Sequence, residues 1–557
     1  MSILKNKTLW LMLFIVALGT VLRLIFIDKP EGLWNDEYVS WSISVIPFGK
    51  KFIDEILAQC HMPLYYLYLK FFIHFYGNSD LMLRLTSVLP GILSIFSMYF
   101  VGKEFKNKNL GGLCASITAL SSFLIYFSQE VRFYELLFFF SSLSLFYTLK
   151  LGKEQSVKNL VLYIVSNFLI IVTHTIGFVF VFFNALFLSF WFGKQEKYKK
   201  NIKIAWGFIL LISLFFIPML FKMFTSHPLS QWWSHFSVSK IGFLVTDYFS
   251  PMLTNIVSAP DNFFYNFTFG FVVFAIIPSI IAIVGMVKAL MTKKYEIVGL
   301  FSVSAAFVFV MVVMAIAGKL VFITKYSIEI YPILIAIVGF GLLEFKKGWR
   351  YFLIFLFCFL NLYYILMNPN SAPKLHRWEG HKIVANLLKN AELNEGDTIL
   401  LNYYPKNRFE KYFNFNKYNV VSINKGNFAQ YLGIDGEKML KTSDKNYLKP
   451  YISKDNKVFD KKFGNDIINE LGELGKLGKK HGNRQKIAIV ILNDVAMYSP
   501  IQMRILFSND KEYDKIPYPF LVFSYLKNKE LELCLQKMQI SRFEQKGSWA
   551  VVTFEQK

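Results

Sequence analysis

Apolar stretches long enough to cross a bilayer recur from residue 9 to residue 367, and no other feature of the sequence limits the fold as much. One crossing takes about 20 mostly apolar residues, so this region has room for roughly ten or more. After Met367 the character changes: Lys, Asn, Asp and Glu dominate and no window can span. The expected organisation is a membrane domain over 1–367 and a soluble domain over 368–557. The first stretch, Leu9 to Ile27, is longer than a secretory signal core and has no small-residue cleavage site before Asp28. It reads as a retained span.

Spans are expected near 9–27, 81–101, 110–127, 131–149, 159–173, 177–193, 204–224, 263–287, 297–317, 327–343 and 350–367, about eleven transmembrane helices in all. Charge decides the count. Lysine-rich loops lie at Lys5 and Lys7 and at Lys103–Lys108, Lys150–Lys158, Lys194–Lys203, Lys288–Lys294 and Lys346–Arg350. With eleven crossings all of them fall on one side, the cytoplasm by the positive-inside rule. The segments 28–80 and 225–262 and the tail then face outward from a cell (plasma or inner) membrane. Removing one span would scatter the clusters over both sides. The runs 110–149 and 159–193 therefore read as two hairpins, tipped by SQEVRFYE (Ser128–Glu135) and THTIG (Thr173–Gly177).

The formal charge of +23 invites a nucleic-acid reading. Much of the excess lysine, however, sits in these loops, and the rest is spread through the tail without a basic helix, so no nucleic-acid partner is expected. The four cysteines, Cys60, Cys114, Cys358 and Cys534, are scattered, with no disulfide or metal spacing. In the tail, His376–Lys389 has helical apolar spacing, and Asp397–Leu401, Lys486–Leu492 and Pro519–Phe523 are candidate strands, which makes a small α/β domain. The Asn- and Lys-rich stretch 402–485, with GELGKLGKKHGNR, reads as a mobile loop.

A carboxylate at span depth costs about 2.5–3.5 kcal/mol on insertion scales and needs a reason. In this topology the acids near apolar runs gather on the outer side: Asp36, Glu37, Glu130, Glu135 and Glu329. His61, Arg84, Arg132, His174, Lys319 and Lys325 join them. A carboxylate can take a proton from a hydroxyl. Cations can stabilise a leaving phosphate, and a multispan protein can hold a lipid tail. Sugar transfer from a lipid phosphate needs all three.

The segments WNDEYVS, HMPLYYLYLKFF, YGNSDLMLRLTSVLPG and YFSQEVRFYELL, followed by THTIGF and TKYSIEIYPILIAIVGFGL, occur in this order. Together they resemble glycosyltransferase family 39, which includes protein O-mannosyltransferases and lipid A aminoarabinose transferases. The resemblance covers residues 1 to about 367. It implies a GT-C-like membrane fold and transfer of a sugar from a polyprenyl-phosphate donor to a protein, lipid or glycan acceptor. It implies Asp36 as general base, Glu37 orienting the base or acceptor, and Glu130 binding the acceptor or positioning the donor sugar. Lys325, standing where the family has Arg, would contact the donor phosphate with Arg84 and Arg132. His61, Tyr65, Tyr134, His174 and Tyr326 would line the substrate site. No cofactor and no metal are expected, since cations can neutralise the phosphate.

Plainer roles stand beside each of these. Asp36 can be a helix N-cap, Glu130 and Arg132 a hairpin staple, and Lys325 a lysine snorkelling from a span end. A lone His is more often structural. A transporter or flippase is the rival from another class, but such proteins show internal repeats and midplane sites, and neither is apparent. A glycan ligase or polymerase would share the fold. The topology is directly testable: reporter domains fused after residues 36 and 130 should both read as external and one fused after Lys153 as internal. Opposite sides for 36 and 130 would dissolve the proposed constellation.

Overall fold

The structure, a computed structural model, describes residues 7–25, 27–29, 32–59, 61–192, 196–226, 241, 244, 248–249, 276–317, 322–367, 380–402, 409–423, 486–492, 538–546 and 549–556. The chain divides into two compact units, residues 1–28 with 39–375 and residues 29–38 with 376–557. The short segment 29–38, which carries Asp36 and Glu37, is thus grouped with the C-terminal unit.

The first unit is helical. In chain order its helices are α1 (Lys7–Leu24), α2 (Asn35–Val45, entering from the other unit), α3 (Lys50–Ala58), α4 (Leu64–Tyr76), α5 (Asp80–Phe105), α6 (Lys108–Leu120), α7 (Ser122–Ser128), α8 (Tyr134–Lys153), α9 (Val157–Thr173), α10 (Gly177–Phe192) and α11 (Glu196–Ser226). After these come α12 (Ile277–Met291), α13 (Tyr295–Ile316), a 3-10 segment (Thr324–Ile330), α14 (Tyr331–Glu344) and α15 (Lys347–Met367). Each stretch expected to span carries a helix, although 263–275 lies outside the described residues. The segment 28–80, expected as a long loop, contains α2, α3 and α4.

Among the described residues five helices are long and apolar enough to cross a membrane, or six if the bent pair α6–α7 counts as one. This is fewer than the eleven crossings expected. At 1.5 Å per residue, α1, α9, α10 and α12 reach only about 25 Å, short of a hydrocarbon core of about 30 Å. The helices nonetheless make this an integral membrane protein. Phe215, Phe309 and Phe355 are 76%, 67% and 65% exposed on them, as side chains facing lipid tails are and side chains facing water seldom are in such numbers.

Local chemistry sets the helix starts. Ser79, Asn107, Ser121 and Ser156 are N-caps whose side-chain oxygens accept from Met82, Asn109 and Leu110, Leu124 and Asn159 N–H groups respectively. At Ser121 the helix breaks, and α7 leaves α6 at 58°. A break strands backbone carbonyls that the next turn would have satisfied. Arg23, fully buried in the last turn of α1, donates to the carbonyls of Thr118 and Ala119 at 3.0 and 3.2 Å and to Gly19 at 3.1 Å. Gly91 on α5 leaves room for it, since a Cβ there would lie 2.8 Å from Arg23 Nε. Gln129 Nε2 then donates to the carbonyls of Arg23 and Ile25, at 3.1 and 2.7 Å, so the α7–α8 tip is tied to the end of α1.

Elsewhere, small and polar residues join helices. Ser144 and Thr148 on α8 share hydrogen bonds with Asn167 on α9 and Asn184 on α10, as buried polar side chains do within membranes. The helices α12 and α14 approach backbone to backbone at Gly285 and Gly341, and a Cβ on Gly341 would collide with the Ile281 carbonyl. The lysine-rich loops meet as well. Lys106 pairs with Glu344 at 2.8 Å and Lys153 with Glu104 at 3.0 Å. Lys106 and Lys294 both lie over the Phe340 ring, and Asn201 donates to Gln155. Five loops singled out by charge therefore share one end of the first unit.

In the second unit the described residues form helix α16 (His381–Asn390) and strands β1 (Thr398–Asn402), β2 (Asn419–Ile423), β3 (Lys486–Leu492), β4 (Met538–Lys546) and β5 (Trp549–Gln556). The sheet order is β2-β1-β3-β5-β4. Strand β1 pairs parallel with β2 and β3, and β5 pairs antiparallel with β3 and β4. Ile383, Val384, Leu387 and Leu388 of α16 pack with Ile399, Leu401, Phe409, Phe415, Ala488 and Val551. Two expected strands are β1 and β3. The third, Pro519–Phe523, and GELGKLGKKHGNR lie outside the described residues. The stretch expected as a mobile loop contains β2.

Arg23 gives the fold its sharpest test. Arg23→Met removes the donors to two buried carbonyls and should cost about 2–4 kcal/mol, read as an earlier thermal melt in detergent. Arg23→Lys should recover part of the loss.

Candidate active site

Three segments distant in sequence meet within the first unit: the α7–α8 tip, the α9–α10 tip, and the 3-10 segment before α14. Phe133 is the hub. Its ring lies 5.2 Å from His61, 6.2 Å from Tyr65, 4.5 Å from Tyr134 and 4.8 Å from His174, centroid to centroid. His174 stacks on Tyr326 at 5.7 Å and 21°, and Tyr134 lies 6.4 Å from the same ring. His61 also hydrogen-bonds the Tyr66 hydroxyl through Nδ1.

Two cations sit on these rings. The Arg132 guanidinium is 5.0 Å from the Phe133 centroid and 5.7 Å from that of Tyr134. Lys325 Nζ is 5.5 Å from both Tyr134 and Tyr326. Such contacts are worth about 2 kcal/mol or more when desolvated. Lys325 is buried, so it does not reach out from a span end as a snorkelling lysine would. Arg132 Nη1 also donates to Ser40 Oγ on α2, at 3.3 Å.

The backbone holds these groups in place. Ser87 on α5 donates to the carbonyls of Glu130 and Arg132, at 2.6 and 3.2 Å, and the Arg132 N–H closes a turn on the Glu130 carbonyl at 2.8 Å. Glu130 is fully buried. The 3-10 segment is braced by Tyr248, whose hydroxyl donates to the Ser327 carbonyl at 2.6 Å and whose ring stacks on Tyr331 at 4.4 Å and 10°. Tyr331 donates in turn to the Tyr248 carbonyl at 2.6 Å. Arg84, one turn before Ser87 on α5, is fully buried and donates to the Ile27 carbonyl at 3.1 Å.

Glu329 is the residue that the sequence undervalues. It is fully buried, its oxygens have no hydrogen-bond partner among the described residues, and its Oε1 lies 3.8 Å from His174 Nδ1. The signal was present as an acid beside an apolar run. Its partner was not legible, because 155 positions separate the two residues and only folding brings them together.

Asp36 and Glu37 are described within the second unit. Helix α2 starts at Asn35, and both acids occupy its first turn, where the helix dipole favours negative charge. Asp36 therefore follows the helix start and is not its N-cap. The capping role belongs to Glu37: fully buried, its Oε2 accepts from the Trp34 N–H at 3.1 Å, the reciprocal half of a capping box. Nearby, Leu33 N donates to the Tyr412 hydroxyl at 2.8 Å. Among the described residues no three His, Cys, Asp or Glu side chains come together as a metal site.

No family model matches the sequence, and no curated protein matches it. Among solved structures the chain is similar to ArnT from Cupriavidus metallidurans in the apo state, at 11% identity and a TM-score of 0.49 over 97% of each chain. It is similar to the same protein bound to undecaprenyl phosphate, at 11% identity and 0.48 over 98% of each. An apo Archaeoglobus fulgidus oligosaccharyltransferase is similar at 10% identity and 0.46, over 87% of this chain and 70% of that one.

A ring that touches four others and carries a guanidinium holds the cluster together. Phe133→Ala should cost about 3–5 kcal/mol, measured by thermal unfolding in detergent. A variant as stable as the parent would show that the cluster does not depend on its hub.

Proposed function

We propose that the protein is an integral membrane glycosyltransferase that moves a sugar from a polyprenyl-phosphate donor to an extracytoplasmic acceptor. The observation that carries this reading is the meeting of Arg132 and Lys325 over the Phe133–Tyr134–His174–Tyr326 rings, in a bundle whose outer surface is apolar. Buried cations on aromatic faces suit an anionic head group, rings suit the apolar face of a sugar, and exposed phenylalanines suit a lipid tail. The order of motifs shared with glycosyltransferase family 39 favours the same chemistry.

In this proposal Asp36 is the general base. It takes the proton of an acceptor hydroxyl as that oxygen attacks the anomeric carbon. The bond from that carbon to the phosphate oxygen breaks, and the phosphate departs with the electron pair. Lys325, Arg132 and Arg84 stabilise the charge that develops there. Lysine supplies charge without the bidentate fork of arginine, and Arg132 complements it. Glu130 binds the acceptor, Glu37 holds the turn that carries Asp36, and His61, Tyr65, Tyr134, His174 and Tyr326 line the site. With cations in this role the transfer needs no metal. The proposal includes eleven crossings, a cytoplasmic N-terminus and an extracytoplasmic C-terminal α/β domain.

Asp36→Asn should lower transfer about a hundred- to ten-thousand-fold while leaving polyprenyl-phosphate affinity intact, assayed with purified protein and radiolabelled lipid-linked sugar. A transporter would show no such split, and wild-type turnover would remove Asp36 from the mechanism. Lys325→Ala should weaken donor binding by about tenfold or more, and Lys325→Arg by much less. Equal losses would argue against a phosphate contact.

A further inference from the structure

The buried carboxylate of Glu329 has no task in the mechanism above, and its surroundings define one. A fully buried carboxylate is costly unless charge or hydrogen bonding compensates it. The nitrogen that approaches it is His174 Nδ1, at 3.8 Å, itself buried and without a hydrogen bond among the described residues. The two groups satisfy each other only if Nδ1 carries its proton and that proton points at Glu329. With Nδ1–H held on the carboxylate, the other ring nitrogen, Nε2, is left to an incoming group, and it donates there when the ring carries both protons.

The backbone adds to this. His174 is the C-cap of α9, extended at φ −150° and ψ 142°, with its N–H on the Ile170 carbonyl. The ring is clamped between Phe133 and Tyr326, so it cannot swing away from the carboxylate. The other charged and titratable groups around it are Lys325 and Tyr326 on the 3-10 segment, Arg132 and Tyr134 at the α7–α8 tip, and His61 across Phe133.

Building on the donor reading above, we infer that Glu329 is a positioning residue that pairs with His174 as carboxylate and imidazolium, Nδ1–H toward Glu329, so that Nε2–H donates to the phosphate of the lipid donor. No proton is transferred in this role; the doubly protonated ring contributes a fixed hydrogen bond whose strength grows as negative charge collects on the leaving phosphate. Glu329 itself touches no substrate.

The test uses the full chain in detergent micelles and two probes of equal tail length, undecaprenyl phosphate and undecaprenol. Wild type should bind the phosphate more tightly than the alcohol. Glu329→Gln and His174→Gln should each weaken phosphate binding by about tenfold, leave undecaprenol binding unchanged, and together lose no more than either alone. Glu329→Asp should restore part of the preference. Additive losses, or equal losses for both lipids, would mean that Glu329 merely supports the fold and would overturn the inference. So would Glu329→Gln binding both lipids as wild type does. A wild-type protein with no preference for the phosphate would instead remove the donor reading itself, and this inference with it.

Discussion

Two backbone carbonyls, those of Thr118 and Ala119, are the points on which the membrane unit turns. The helix breaks just beyond them, and a broken helix inside a bilayer is tolerated only where other groups take over the lost hydrogen bonds. Arg23 does this from α1, in a space that Gly91 leaves open. The 58° change of direction between α6 and α7 follows, and with it the course of the chain into the tip that carries Glu130, Arg132, Phe133 and Tyr134. Gln129 ties that tip back to the end of α1. A charged residue in the first span thus serves the geometry of a site that it does not enter.

The candidate site poses a different problem, how to hold two cations in a buried place. An aromatic face attracts a cation through its quadrupole. Tyr134 is shared between Arg132 and Lys325, so the two positive groups are held on rings of one cluster although 193 positions separate them.

The helical character of the described residues up to Met367 was legible in the sequence because periodic apolar runs and lysine-rich loops act locally. The meeting of those loops, seen at Lys106–Glu344 and Lys153–Glu104, follows from charge alone. What was not legible depends on contacts across the chain or on one residue in a local pattern. The break at Ser121 turns on a single serine inside an apolar run, and the Glu329–His174 pair exists only after folding. Arg23 could have been found, since an arginine inside the first apolar stretch breaks the rule that such positions carry no charge. In the second unit, β1 and β3 announce themselves as apolar runs. By contrast, β4 (MQISRFEQK) and β2 (NVVSI) are diluted by polar neighbours.

The crossing of α12 and α14 at Gly285 and Gly341 bears on the opposite end of α14. With hydrogen as the only side chain on either helix, the two backbones lie close enough to act as a fulcrum. The arm of that lever begins at Tyr331, directly after the segment holding Lys325, Tyr326 and Glu329. Bulk added at the pivot would tilt the arm, and the cation and carboxylate would shift together although neither had been touched. Sequence drift at either glycine would in this way reshape the ring cluster from a distance.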